Sequence, residues 1–483
     1  RRHSFPTRRS SDLYKKEELY KVVSFGERHG FKVFSWQFPN MTQELAQELL
    51  PECPKEELPI TRNKNDEEEK LPVYIDFSHP RAKELLAAQW KDRMDAGIRG
   101  SMVDFGDVVP DEAVFYDGRR GDEMHNAYAY QYAKNYRELF EQKYGDDHVL
   151  YTRGAAPGSQ HFACQFGGDQ LTSFQGLKYA IAGGLSAAAS GLPFWGVDAG
   201  GYDGFPDQET YLRWTEYAAF CPLMRFHGTE PREPWEYDAF TVKVYRYYTW
   251  LRENLRPYIV SVAAEAHKLG IPMMRPLAMM YPEDQEATKV WDEYLFGEDL
   301  LVAPVSDETE EREIYFPEGR WISLWNLNDE ISGPVQRSVE VPIDKIPVYI
   351  REGSFLPLRL NESLKLGESM SESETEMILA VVPQNDSIVK ETLYERSGAK
   401  TCCGMEKNGE TIQLQISGRT AELYVMLAGI HWKNTEAIVN GRTLTKVTAR
   451  EGLYFTEGYL ELEEGILVKI NPSAESVIKI QKK

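Results

Sequence analysis

Along the first 270 residues, stretches with a helical period alternate with stretches of strand character, and the strand-like ones end on charged side chains. Ile98 to Val103 closes on Asp104, Val149 to Thr152 on Arg153, and His161 to Phe166 runs through two glycines into Asp169. Phe194 to Val197 ends on Asp198, and Leu223-Met224 leads to Arg225 and His227. Such alternation calls for a parallel sheet, because each strand must return over a helix before the next begins. Five successive strands that deliver charge to one side form the pattern of a TIM barrel, whose ligand face lies at the carboxyl ends of its strands. The expected fold class is therefore α/β, a (β/α)8 TIM barrel.

The helices between these strands are legible too. Tyr14 to Gly30, Pro80 to Asp95, Glu123 to Tyr144 and Tyr211 to Phe220 carry the period, and one long helix is expected from Val242 to Leu269. Tyr128, Tyr132, Tyr136 and Phe140 recur every four residues, a stripe that suits packing against the sheet better than a binding platform. Residues 51 to 71, with the run Asp66-Glu67-Glu68-Glu69, make a solvated insertion loop. Beyond Gly270 the period changes to short strands punctuated by Pro and Gly, such as Trp321 to Trp325 and Thr411 to Ile416. Two C-terminal β-sandwich domains are expected there, 271–365 and 366–483, behind a barrel over 14–270.

Composition narrows the partners. A net charge of −21 argues against nucleic acid and anionic membrane surfaces. No apolar run reaches the ~18 residues of a membrane span. Aromatic residues make up 12% of the chain, a supply that suits stacking on sugar rings as well as a core. The five cysteines, at 53, 164, 221, 402 and 403, have neither metal-ligand spacing nor a disulfide framework, so no metal or cofactor is expected and a cytoplasmic setting is the default. Adjacent Cys402 and Cys403 fit opposite faces of one strand. A homo-oligomer is compatible with all of this. Residues 1–13 resemble translated read-through of sequencing adaptors and are set aside as a non-native tail. On that reading the natural start lies upstream, and a leader peptide cannot be read.

Two aspartates on neighbouring strand ends can hydrolyse a glycosidic bond, one attacking the anomeric carbon and the other moving the proton. Asp104 and Asp169 are that candidate pair, with Gly167-Gly168 leaving room for substrate. On spacing alone a second reading stands beside it, in which both simply cap the helices that follow. Arg153 and Arg225 could clamp hydroxyls or form salt bridges at the barrel rim. His227 shares a strand face with Arg225, and Asp198 precedes the paired glycines Gly200-Gly201, where a ligand can approach the backbone. Trp36, Phe105, Trp195 and Tyr202 could wall a sugar site or belong to the core. Phosphate-cradling, nicotinamide-binding and zinc-protease motifs are absent from the sequence.

Taken together, these motifs resemble glycoside hydrolase family 31, the α-glucosidase and α-xylosidase family, from about Phe31 onward. Val103-Asp104-Phe105-Gly106-Asp107 is similar to the family's nucleophile motif, with Asp107 where Glu is usual, which implies Asp104 as nucleophile and Asp107 as a supporting group. Phe166-Gly167-Gly168-Asp169 resembles its acid/base motif and implies Asp169 in that role. Arg153, Asp198 and His227 match its substrate-binding residues; Arg232-Glu233-Pro234-Trp235 also recurs in this branch. The resemblance implies a retaining α-glycosidase with a covalent glycosyl-aspartate intermediate, acting on terminal glucose- or xylose-type sugars. Met102 and Gly168-Asp169-Gln170 also occur in sulfoquinovosidases, which stand second. A carbohydrate-binding barrel without chemistry is the reading from a different class. The resemblance further implies an N-terminal sandwich and two barrel strands ahead of this chain. On that basis the 483-residue polypeptide is expected to be poorly soluble or inactive by itself.

Overall fold

The computed structural model describes residues 16–62, 73–370, 375–419 and 421–483. The adaptor-like tail, the acidic run at 66–69 and residues 371–374, which end the polar stretch from Asn361 to Glu374, lie outside them. The chain divides into two compact units, Arg1–Phe166 and Gly167–Lys483.

In the first unit, Ser35–Gln37, Gly100–Val103, Val149–Thr152 and Cys164–Phe166 form a parallel sheet in that order. All four residues of Gly100–Val103 are buried, as a central parallel strand covered on both faces requires. Its register pairs Gln37 with Val103 and Val103 with Thr152, which brings Asp104 and Arg153 out side by side, one step beyond the last pairing. The helix Gly121–Tyr144 lays its aromatic stripe inward: Tyr128, Tyr132, Tyr136 and Phe140 have no solvent exposure. The Tyr136 hydroxyl accepts from Trp90 Nε1 of the helix Ala82–Asp95 at 3.1 Å, which satisfies a buried indole.

In the second unit, Trp195–Asp198 and Leu223–Arg225 pair in parallel, flanked by the helices Phe174–Ala189 and Gln208–Ala219. The long helix expected from Val242 to Leu269 is two helices, Ala239–Asn254 and Arg256–Leu269. Pro257 is the cause. It lacks the N–H that a continuous helix would use, yet it is tolerated in the first turn of a new one.

The C-terminal part is built of strands, as the change of period predicts. Six antiparallel strands between Met274 and Arg351 form one sheet around Leu295, Leu301, Phe316 and Trp321. Two further sheets, of five and six strands, face one another across Ile378, Val425 and Val468 on one side and Ile412, Leu414 and Ile478 on the other. Phe355–Leu360 pairs with Thr375–Val381 across the polar stretch between them. Cys402 is exposed and Cys403 buried on one strand, as alternation requires, and all five cysteines are free thiols. Among the described residues no helix is long and apolar enough to cross a membrane.

One buried polar junction ties barrel helix to strand domain. Arg213, inside the helix Gln208–Ala219, donates to the carbonyls of Val341 at 2.7 Å, Pro342 at 3.1 Å and Lys345 at 3.2 Å, and to Glu216 Oε2 at 3.2 Å. Replacing Arg213 with Ala strands those acceptors and is expected to lower the unfolding free energy by about 3–5 kcal/mol, read from the urea midpoint. Burial pushes the Glu216 carboxyl up to about 8, against the pull of Arg213. A raised carboxyl pKa contributes stability that is complete below its ordinary value near 4.5 and lost as pH climbs through 8. Stability should therefore fall between pH 5 and 8, and Glu216→Gln should flatten that fall in denaturation curves taken across the range.

Candidate active site

The first unit assembles four of the expected residues around the carboxylate of a fifth, Asp104. Asp104 follows the Gly100–Val103 strand and is 4% exposed. Its Oδ2 accepts from Trp36 Nε1 at 3.0 Å, and its Oδ1 accepts from the backbone N–H of Phe105 at 2.8 Å. Arg153 Nε stands 3.7 Å from Asp104 Oδ1 and 3.5 Å from Asp107 Oδ1, so a single guanidinium serves both aspartates. The shorter Asp at 107 does reach the arginine. Phe105 has a left-handed backbone, φ 56°, rare for a bulky residue. That turn lays its ring beneath Arg153, whose Cζ is 3.8 Å from the ring centroid, within cation–π range. Gly106 is forced by its neighbour, because a Cβ there would lie 2.8 Å from the Tyr132 ring.

In the second unit, Asp198 has no solvent exposure and sits directly opposite Arg225 in the strand register, with the guanidinium in contact with its carboxylate. Asp169 is exposed, on the glycine loop that follows the Cys164–Phe166 strand. That loop is fastened to the one after Asp198: Gln170 O accepts from the N–H of Tyr202 at 2.8 Å, and Leu171 bridges to Asp203. The Tyr202 and His227 rings lie 5.3 Å apart. Although an edge of the imidazole is open to solvent, burial of the rest, and then the charges of Arg225 and Arg232, push its pKa down to about 4. His227 is thus a neutral imidazole at physiological pH, able to donate from one nitrogen and accept at the other. Trp195 begins its strand, a strand's length from Asp198, with its indole packed between Gly184 of the helix Phe174–Ala189 and Gly167, two residues before Asp169.

The capping alternative fails for both aspartates. The helix after Asp104 begins at Gly121, with Glu123 closing its first turn, and the helix after Asp169 is capped by Ser173. Aspartates do cap helices in this chain, but they are Asp207 and Asp238.

Arg232 acquires a role that the sequence did not reveal. It is 6% exposed and donates to the carbonyls of Gly201 at 2.8 Å, Tyr202 at 3.1 Å, Gly204 at 2.8 Å, Glu230 at 3.0 Å and Pro231 at 3.1 Å. Gly200, Gly201 and Gly204 are all left-handed, which leaves their carbonyls turned out of any regular ladder. Gly228 makes room for the clamp, because a Cβ there would sit 2.4 Å from Arg232 Nη2. Three glycines within five residues, followed by an arginine in the next loop, were the available signal. Among the described residues no group of three or more His, Cys, Asp or Glu could hold a metal ion.

Strand–helix repeats with charged strand ends, followed by mainly antiparallel sheets, define a TIM-barrel protein with C-terminal β domains. Residues 12–262 match the TIM-barrel domain of glycosyl hydrolases family 31, more than half the chain, and residues 270–356 match that family's C-terminal domain. The chain belongs to glycosyl hydrolase family 31. It is 32% identical over 430 residues to an isomaltosyltransferase of Sporosarcina globispora, covering 84% of this chain and 39% of that protein. It is 32% identical over 294 residues to an alpha-xylosidase of Emericella nidulans, covering 59% of this chain and 38% of the relative. The solved cycloalternan-forming enzyme from Listeria monocytogenes superposes with a TM-score of 0.88 at 23% identity, over 99% of this chain and 49% of that one, a likeness of fold. The chain thus spans about two fifths of the length of these curated relatives.

Gly228→Ala should unseat the Arg232 clamp and cost about 1–3 kcal/mol, visible as a lowered thermal midpoint. Proton NMR of the histidines should show His227 titrating near pH 4. A midpoint above 6 would mean that the ring is not desolvated beside the two guanidiniums as described.

Proposed function

We propose that this chain carries the catalytic centre of a retaining α-glycosidase whose donor sugar is an α-linked glucose or a close relative of it. The observation that carries the reading is the environment of Asp104. An indole N–H, a backbone N–H and a guanidinium surround its carboxylate oxygens, and each is a donor or a cation. That is the setting of an anionic nucleophile held in one orientation.

In the first step an Asp104 oxygen bonds to the anomeric carbon while the glycosidic C–O bond breaks, and Asp169 gives its proton to the departing oxygen. In the second, Asp169 takes a proton from water, the water oxygen bonds to the same carbon, and Asp104 leaves. Two inversions give net retention. Asp198, fixed by Arg225, accepts from sugar hydroxyls, and neutral His227 both donates and accepts. Asp107 shares Arg153 Nε with Asp104 and so helps to hold it. Phe105 supports that arginine, and Trp36, half-exposed, offers an indole face to the sugar while its N–H is occupied with Asp104.

Glucose is favoured over xylose by the extent of the likeness. The similarity to the isomaltosyltransferase runs through 84% of this chain, that to the alpha-xylosidase through 59%. The same likeness admits a sugar hydroxyl in place of water in the second step. A panel of aryl α-glycosides, with the product anomer followed by proton NMR, tests the proposal. The α-glucoside should be cleaved best and with retention; an inverted product would remove Asp104 from the role of nucleophile. Asp104→Ala should lower kcat at least ~10⁴-fold on every substrate. Asp169→Ala should cost ~10²- to 10⁴-fold on poor leaving groups and far less on leaving groups that need no proton.

A further inference from the structure

Phe205 is an aromatic ring left half in water, 48% exposed, on a loop that is otherwise tightly fastened. Its neighbour Pro206 is buried, Thr172 donates to the carbonyl of Asp203 at 2.8 Å, and Gly204 donates to Thr229 Oγ1 at 3.0 Å. The ring stacks by one face on Tyr237, with centroids 5.1 Å apart and planes at 21°. Tyr237 stacks in turn on Tyr211, at 4.7 Å and 28°, and its hydroxyl returns to the carbonyl of Pro206 at 2.8 Å. Phe205 is thus the outer rung of a ladder of rings, fixed from beneath and bare above. An exposed side chain that pays little further entropy on contact is pre-organised for a flat ligand.

Its position says which ligand. Phe205 belongs to the loop leaving the carboxyl end of the Trp195–Asp198 strand, the face where barrels of this kind bind. It lies three residues beyond Tyr202, hence within ~11 Å of it along the chain, and Tyr202 adjoins His227. The same loop is stitched to the Asp169 loop through Gln170 O and the Leu171–Asp203 bridge. A group that protonates the departing oxygen sits on the leaving-group side of the bond, so the loop joined to it borders that side.

We propose that Phe205, backed by Tyr237 and Tyr211, is the stacking floor of a subsite for the leaving-group sugar of an α-linked glucose oligosaccharide. The inference rests on the α-glycosidase reading above and adds the side from which longer substrates are held. The C–H face of a pyranose ring covers the bare aromatic face, and its hydroxyls stay in water.

The test compares isomaltotriose with α-glucosyl fluoride, whose leaving group contains no ring. In Phe205→Ala the KM for isomaltotriose should rise about tenfold with kcat held, while both constants for the fluoride stay at wild-type values. Phe205→Trp should restore the trisaccharide KM. Equal changes on both substrates would make Phe205 a structural prop, and no change on either would leave no subsite; each result overturns the proposal. An inactive 483-residue chain is the outcome expected if barrel strands lie upstream of it, and it leaves the glycosidase reading standing. The subsite is then decided by the emission of the Phe205→Trp variant titrated with isomaltotriose: a saturable change beyond that of wild type supports it, and none refutes it.

Discussion

A carboxylate at the end of a buried parallel strand has lost its water and must find a positive charge nearby. This chain answers the requirement twice in the same way. Asp104 ends one strand and Arg153 ends the next, and Asp198 ends a later strand with Arg225 opposite it in the following one. Parallel register does the pairing, since neighbours in adjacent strands emerge at the same height. The consequence reaches beyond charge. Each arginine is fixed by the aspartate it neutralises, so the polar groups offered to a ligand are already immobile before one arrives.

The loops that carry the remaining groups obey a different rule. Left-handed glycines at 200, 201 and 204 turn carbonyls away from any regular ladder, and those carbonyls need donors. Arg232 donates to those of Gly201 and Gly204 from a neighbouring loop, in a space that only a glycine at 228 leaves open. The surface that holds Tyr202 is rigid because one guanidinium fills the place of a missing ladder.

The strand ends were legible in the sequence because an apolar run that stops abruptly on a charge marks the place where buried backbone meets the rim of a sheet. Asp104, Arg153, Asp198 and Arg225 are all found at such ends. Their pairing was not legible, because register depends on contacts between segments far apart in the chain. Cap and catalytic readings of Asp104 and Asp169 could not be separated by spacing; the positions of Glu123 and Ser173 separate them. The break in the last barrel helix was available in Pro257 and was hidden by an apolar period that continues through it. Arg232 escaped because its partners are backbone atoms, which no residue pattern reports. Trp195 starts its strand rather than ending it, and its indole packs against both a helix glycine, Gly184, and Gly167 ahead of Asp169, a placement no residue pattern reports.

Phe105 stands where the backbone alone would choose glycine. Its left-handed conformation costs on the order of 1–3 kcal/mol, and a glycine would release that strain while removing the ring from under Arg153. The position therefore sets folding against function within a single residue. A stabilised form of this protein selected for heat resistance alone would drift toward glycine at 105 and lose the support of its guanidinium without any visible change of fold.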